Sequence, residues 1–170
     1  MGFGTSQRHV PSAGEPEGIL NIGKTVMKIS AKTEYACIAM LELASRYESG
    51  EPVRVREIAA RHRVPSRFLV QILLQLKGAG LVASIRGAAG GYQLLRSPDE
   101  LSLGEVIEVI EGTSGQQEVL TAAWPDSPAV KALQDVWHEL TQAQRRWLRE
   151  ITFAHLLEKA KTYDHQMYYI

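Results

Sequence analysis

The sequence predicts a mainly α fold: a winged helix-turn-helix domain with a two-stranded wing, followed by a long C-terminal dimerisation helix. Three observations carry this prediction. Residues 65–92 read as a helix, a strand, a glycine-rich tip and a second strand. The basic residues crowd into the same third of the chain. A heptad stripe then runs from Val130 to Ile151.

Pro65-Ser66 suits a helix start, because proline fits the first turn and serine can cap free N–H groups. Phe68, Leu69, Ile72, Leu73 and Leu76 fall on one helical stripe. Gly78 and Gly80 end that helix. Leu81-Val82-Ala83-Ser84-Ile85 and Tyr92-Gln93-Leu94-Leu95 read as strands, and Arg86-Gly87-Ala88-Ala89-Gly90-Gly91 as the hairpin tip between them.

A chain of 170 residues with 45% hydrophobic content suffices for one domain, or one domain with an accessory helix. Lysine plus arginine equals aspartate plus glutamate at 19 each, but the balance is uneven along the chain. From Val53 to Ser97 the cations are Arg54, Arg56, Arg61, Arg63, Arg67, Lys77, Arg86 and Arg96, against Glu57 alone. Such a segment suits a polyanion on one face, or else a solvated basic surface. The single cysteine, Cys37, excludes an intrachain disulfide and a cysteine-based zinc or iron–sulfur site, so no metal and no cofactor is expected. A reducing cytoplasm is the expected compartment. No apolar run reaches the length of a membrane span, and nothing before Met27 forms a signal-peptide core.

In chain order, residues 1–26 are expected to form a disordered extension, rich in glycine, proline and polar residues, with one short apolar patch, Ile19-Leu20-Asn21-Ile22. Residues 27–112 form the predicted domain. Ser30 opens a helix reaching about Tyr47, apolar almost all round and therefore central. Cys37 lies in its middle as a small core residue, with a redox-sensing thiol as the alternative. Val53-Arg54-Val55 is a short extended piece. Arg56 to Arg61 is a brief helix with Ile58, Ala59 and Ala60 inward, and Arg61-His62-Arg63-Val64 the tight turn before the Pro65 helix. His62 reads as a surface or phosphate-side residue, since no metal partner stands at ligand spacing. After the wing, Ser102 and Glu105 have capping-box spacing and open a helix to Gly112. Residues 113–128 form a loop with Trp124 as its apolar anchor.

In residues 129–160 the pattern changes. Val130, Leu133, Trp137, Leu140, Gln144, Trp147 and Ile151 recur at alternating spacings of 3 and 4. Such a stripe either packs back on its own domain or pairs with a second copy. Pairing is favoured because one basic module alone would bind weakly, and Gln144 would then fix the register. Thr152 caps a last helix, Phe153 to Ala160, with Leu156 and Leu157 inward. Residues 161–170 form a tail ending in Tyr169 and Ile170. It either lies on the last helix or is captured by another protein through its carboxylate.

These residues resemble the Rrf-type family of bacterial regulators, which includes the IscR, NsrR and CymR branches. The matching pieces are Met27-Lys28-Ile29-Ser30 with Tyr35-Ala36, Arg56-Glu57-Ile58-Ala59, Phe68-Leu69 with Gln71-Ile72-Leu73, and Leu76 to Val82. The most specific is Arg86-Gly87-Ala88-Ala89-Gly90-Gly91-Tyr92, and Leu103-Gly104-Glu105-Val106-Ile107 and Glu111-Gly112 follow it. The resemblance implies a homodimeric winged-helix regulator bound to a palindromic double-stranded DNA operator. It implies that Ser66, Arg67, Val70 and Gln71 face the major groove and that Arg86, Gly87, Gly90 and Gly91 form a wing at the minor groove. Arginine suits guanine and glutamine suits adenine, and Arg86 suits a narrow minor groove. Arg56 and Lys77 are expected to contact phosphate. The cluster-binding branch carries three cysteines where 112–128 has none, so the chain looks closest to the cluster-free CymR-like branch. That branch implies repression of sulfur and cysteine-metabolism genes, with stress genes as the alternative, and docking of Tyr169 and Ile170 into cysteine synthase.

The competing reading is a winged-helix adaptor that binds an enzyme such as cysteine synthase through its tail and no duplex. A catalytic role finds no support: the sequence has no nucleophile–base pairing, phosphate loop or metal-spaced histidine cluster.

Overall fold

The computed structural model describes residues 29–112 and 127–167. The patch at 19–22, Trp124, Tyr169 and Ile170 therefore lie outside the described residues. Helix α1 spans Ala31–Ser45, with Ser30 capping it by accepting from the Thr33 N–H. It is the central element predicted from its apolar sequence: Ala36, Ala39, Met40 and Leu43 are fully or almost fully buried. Helices α2 (Val55–His62) and α3 (Ser66–Gly78) follow, then strands β1 (Val82–Ile85) and β2 (Gly91–Leu94). The strands pair antiparallel, Val82 opposite Leu94 and Ile85 opposite Gly91. Val53 adds an antiparallel bridge to Tyr92, with N–H to carbonyl bonds of 2.8 Å in both directions. The extended piece before α2 is thus hydrogen-bonded to the wing.

Helix α4 spans Leu103–Glu111, and the Ser102 hydroxyl accepts from the Glu105 N–H at 3.2 Å, half of the expected capping box. The other half is absent, because the Glu105 carboxylate is taken by Arg96. Helix α5 runs Pro128–Glu150 and helix α6 Phe153–Met167. Thr152 caps α6 as predicted, accepting from the His155 N–H at 3.2 Å. That helix continues past Ala160, so the start of the supposed tail is helical. A bridge between Ser102 and Thr152 and the fully buried Phe153 fix the start of α6 on the domain.

Three local expectations fail for identifiable reasons. Ala60 is exposed rather than inward, since the short α2 buries only Ile58. Phe68 is exposed at the edge of the core stripe, where it meets Tyr35 at a ring separation of 6.4 Å. Ser66 is the first residue of α3 rather than its cap, and no side chain caps that helix start.

Candidate nucleic-acid interface

Helix α3 carries two stripes of the same spacing on opposite faces. Leu69, Ile72, Leu73 and Leu76, at i, i+3, i+4 and i+7, are fully buried in the core. Arg67, Val70, Gln71 and Leu74 repeat that spacing two residues earlier, roughly 200° round the helix, and all four are exposed. The core stripe therefore orients the outer one. Arg67 is further placed by Phe68, whose ring centre lies 4.9 Å from the guanidinium carbon. Phe68, read from sequence as core, instead stands between the core and a cation.

The turn before α3 contains Arg63 in the left-handed region at φ 55°, a conformation that costs a non-glycine residue about 1–2 kcal/mol. Arg63 is exposed. It did not emerge from the motif as a site residue, although its place in the basic third was a signal for it.

The cations of that third divide into two kinds. Arg61 and His62 both meet the buried carboxylate of Glu42, at 2.8 and 3.0 Å, and Arg96 pairs with Glu105. These groups brace the fold. His62 is a surface residue as read from the sequence, and it also meets Glu42 of α1. By contrast, Arg56, Arg63, Arg67 and Arg86 are exposed and have no ion pair among the described residues. Lys77 donates to the Ser84 hydroxyl at 2.7 Å, joining the end of α3 to β1, and its ammonium has further donors to offer.

The wing owes its shape to its glycines. Gly87 takes φ 104°, a region side chains rarely adopt, with open space around it. A Cβ on Gly90 would stand 2.9 Å from the Gly87 carbonyl oxygen, and one on Gly91 2.6 Å from that of Val53. The last two glycines therefore serve close packing of backbone on backbone. Arg54 closes the arrangement by donating to the Ala88 carbonyl. Arg86 is exposed at the base of the loop.

Helix α5 presents the predicted heptad stripe, but the stripe is not buried within the chain. Leu133, Trp137, Leu140 and Trp147 are all exposed, Trp147 at 62%, and Val136 beside them is exposed too. Val130, Gln144 and Ile151 are half-buried. The buried residue of α5 is Leu148, one position after Trp147 and off the stripe, at 6% exposure, and Arg149 beside it pairs with Glu108 at 2.9 Å.

A polar knot ties the end of α4 to its neighbours. The Ser30 hydroxyl donates to Glu111 Oε1 at 2.7 Å, and the Thr33 hydroxyl donates to the same oxygen. These two bonds, Thr33's first, hold the Glu111 carboxyl below its ordinary pKa. Gln75 of α3 donates to the Val109 carbonyl at 2.6 Å and accepts from Lys32 at 2.7 Å. Cys37 is half-buried in α1, and burial, helped by Glu34, pushes its thiol up to about 11. A thiol so protonated is a poor nucleophile and redox sensor.

Helix, turn, second helix with a clean exposed face, and two-stranded wing define a winged helix-turn-helix DNA-binding transcription regulator. The chain belongs to the Rrf2 family: residues 29–159 match the family described as an iron-dependent transcriptional regulator. The HTH-type transcriptional regulator CymR of Bacillus subtilis is 36% identical over 130 residues, 76% of this chain and 89% of that protein. The solved structure of CymR, the global cysteine regulator of B. subtilis, superimposes with a TM-score of 0.68 at 34% identity, over 78% of this chain and 98% of that one. The structure of T. potens IscR gives a TM-score of 0.64 at 34% identity, over 79% and 88%. A cysteine-ligated iron–sulfur cluster does not fit this donor set. Thiolate ligation of a cluster needs several cysteines, and the chain has Cys37 alone, held protonated by burial. No helix among the described residues is long and apolar enough to cross a membrane.

Proposed function

We propose that the protein is a homodimeric regulator that binds a palindromic operator, with α3 in the major groove and the wing at the minor groove. The observation that carries the reading is the exposed stripe on α3, where Arg67 and Gln71 stand one turn apart and Arg67 has no ion pair among the described residues. Arg67 reads guanine and Gln71 adenine. Ser66 lies at the uncapped start of α3, whose free N–H groups suit a phosphate. Arg56 and Lys77 hold the phosphate backbone, and Arg86 with Gly87, Gly90 and Gly91 follows the minor groove. Two copies join through Val130, Leu133, Trp137, Leu140, Gln144, Trp147 and Ile151, which covers the exposed aromatics of α5.

The test is binding to a duplex selected by the full chain from a randomised library. A dimer making roughly six to ten phosphate contacts loses about 10³–10⁵ in affinity between 50 and 200 mM salt. Absence of duplex binding at low salt refutes the reading.

Likeness to the CymR structure supports a finer assignment: a cytoplasmic repressor of sulfur and cysteine-metabolism genes, with cysteine synthase as a partner of Tyr169 and Ile170. Capture of cysteine synthase should vanish when those two residues are removed. Undiminished capture sinks the docking.

A further inference from the structure

We infer that Val70 and Leu74 form an apolar reader of thymine methyl groups at the centre of the α3 face. The inference rests on the DNA-binding reading and deepens it by naming base chemistry. Val70 is 41% exposed and Leu74 54%, on the opposite side of α3 from the core stripe. Isolated exposed aliphatics need no explanation, but these two are adjacent at i and i+4 and share their face with Arg67 and Gln71.

The occupant follows from what a major groove offers. Its base edges present hydrogen-bond donors and acceptors, and the apolar group among them is the thymine C5-methyl. The pair is separated by about 6 Å along the helix axis, far enough for the two side chains to meet methyls of different base pairs. The neighbouring glutamine points the same way. An adenine read by Gln71 is paired with a thymine, whose methyl lies in the same groove. A protein surface fits the patch less well, because covering Val70 and Leu74 would also desolvate Arg67 and Gln71.

The test uses the full chain and its selected duplex, resynthesised with deoxyuridine in place of thymidine, one position at a time. Removing a methyl leaves every hydrogen-bonding group of the base in place. The wild-type protein should lose on the order of fourfold in affinity for each methyl buried against the pair. Val70→Ala should abolish the sensitivity at one position of each half-site and Leu74→Ala at a second. Equal affinity of the wild type for thymidine and deoxyuridine duplexes overturns the inference while leaving sequence-specific binding intact. Selected half-sites without thymine overturn it too. A Leu74→Ala change that alters the oligomeric state and leaves DNA affinity untouched assigns that residue to a protein contact and overturns its role here. Failure to select any duplex removes the DNA-binding reading itself.

Discussion

Helices α3 and α5 carry nearly the same apolar rhythm, and the structure uses it in opposite ways. In α3 the stripe of Leu69, Ile72, Leu73 and Leu76 disappears into the core, and what faces outward is the exposed set Arg67, Val70, Gln71 and Leu74. In α5 the stripe itself faces outward, and the helix is held to its domain by its last turn, where Leu148 is buried and Arg149 pairs with Glu108. Periodicity reports that a helix has an apolar face. It does not report whether the cover for that face comes from the same chain.

Core truncation should give the largest effect. Ile72→Ala should destabilise the protein by about 2–5 kcal/mol, by the same amount at every protein concentration, as read from chemical denaturation. Trp137→Ala should cost about 2–4 kcal/mol of association and show itself as a concentration-dependent shift between dimer and monomer in sedimentation. If both variants behave alike with concentration, the contrast between the two helices collapses. On the outer face of α3, Arg67→Ala should cost about 1–3 kcal/mol at one base of each half-site and relax preference there. Uniform weakening on all sequences would make Arg67 a phosphate contact.

The smallest effect concerns acid. The folded pKa of Glu111 lies below its ordinary value, so the hydrogen bonds from Thr33 and Ser30 contribute stability above the unfolded value of 4.5. That contribution fades as pH falls through 4.5 toward the lowered folded value. Glu111→Gln should flatten the corresponding part of a melting-temperature profile against pH, and an unchanged acid slope would show that the knot adds no pH-dependent stability.

Much of this architecture was legible in the chain. Two short strand-like runs around a glycine-rich tip located the wing, and the serine and threonine caps at Ser30, Ser102 and Thr152 marked helix starts, because each of these signals is local. What escaped was set by distant partners. Arg61 counted toward the basic third, yet its acid is Glu42, on another helix 19 residues away. Arg96 is likewise spent on Glu105. Leu148 stood outside the heptad because it obeys the domain surface. Phe68 fitted the core stripe by spacing, and only the packing of Tyr35 and Arg67 around it shows it at the edge.

The bond from Arg54 to Ala88 and the bridge from Val53 to Tyr92 join the wing to the residues that lead directly into α2. The wing is thereby tied by backbone contacts to the helix-turn-helix. If α3 and Arg86 enter neighbouring grooves, the offset between them is set by protein backbone, and the duplex must do the yielding. Sequences that narrow or bend easily at that offset would bind better than stiff ones carrying the same contacted bases. Selectivity would then extend to base pairs that no side chain touches.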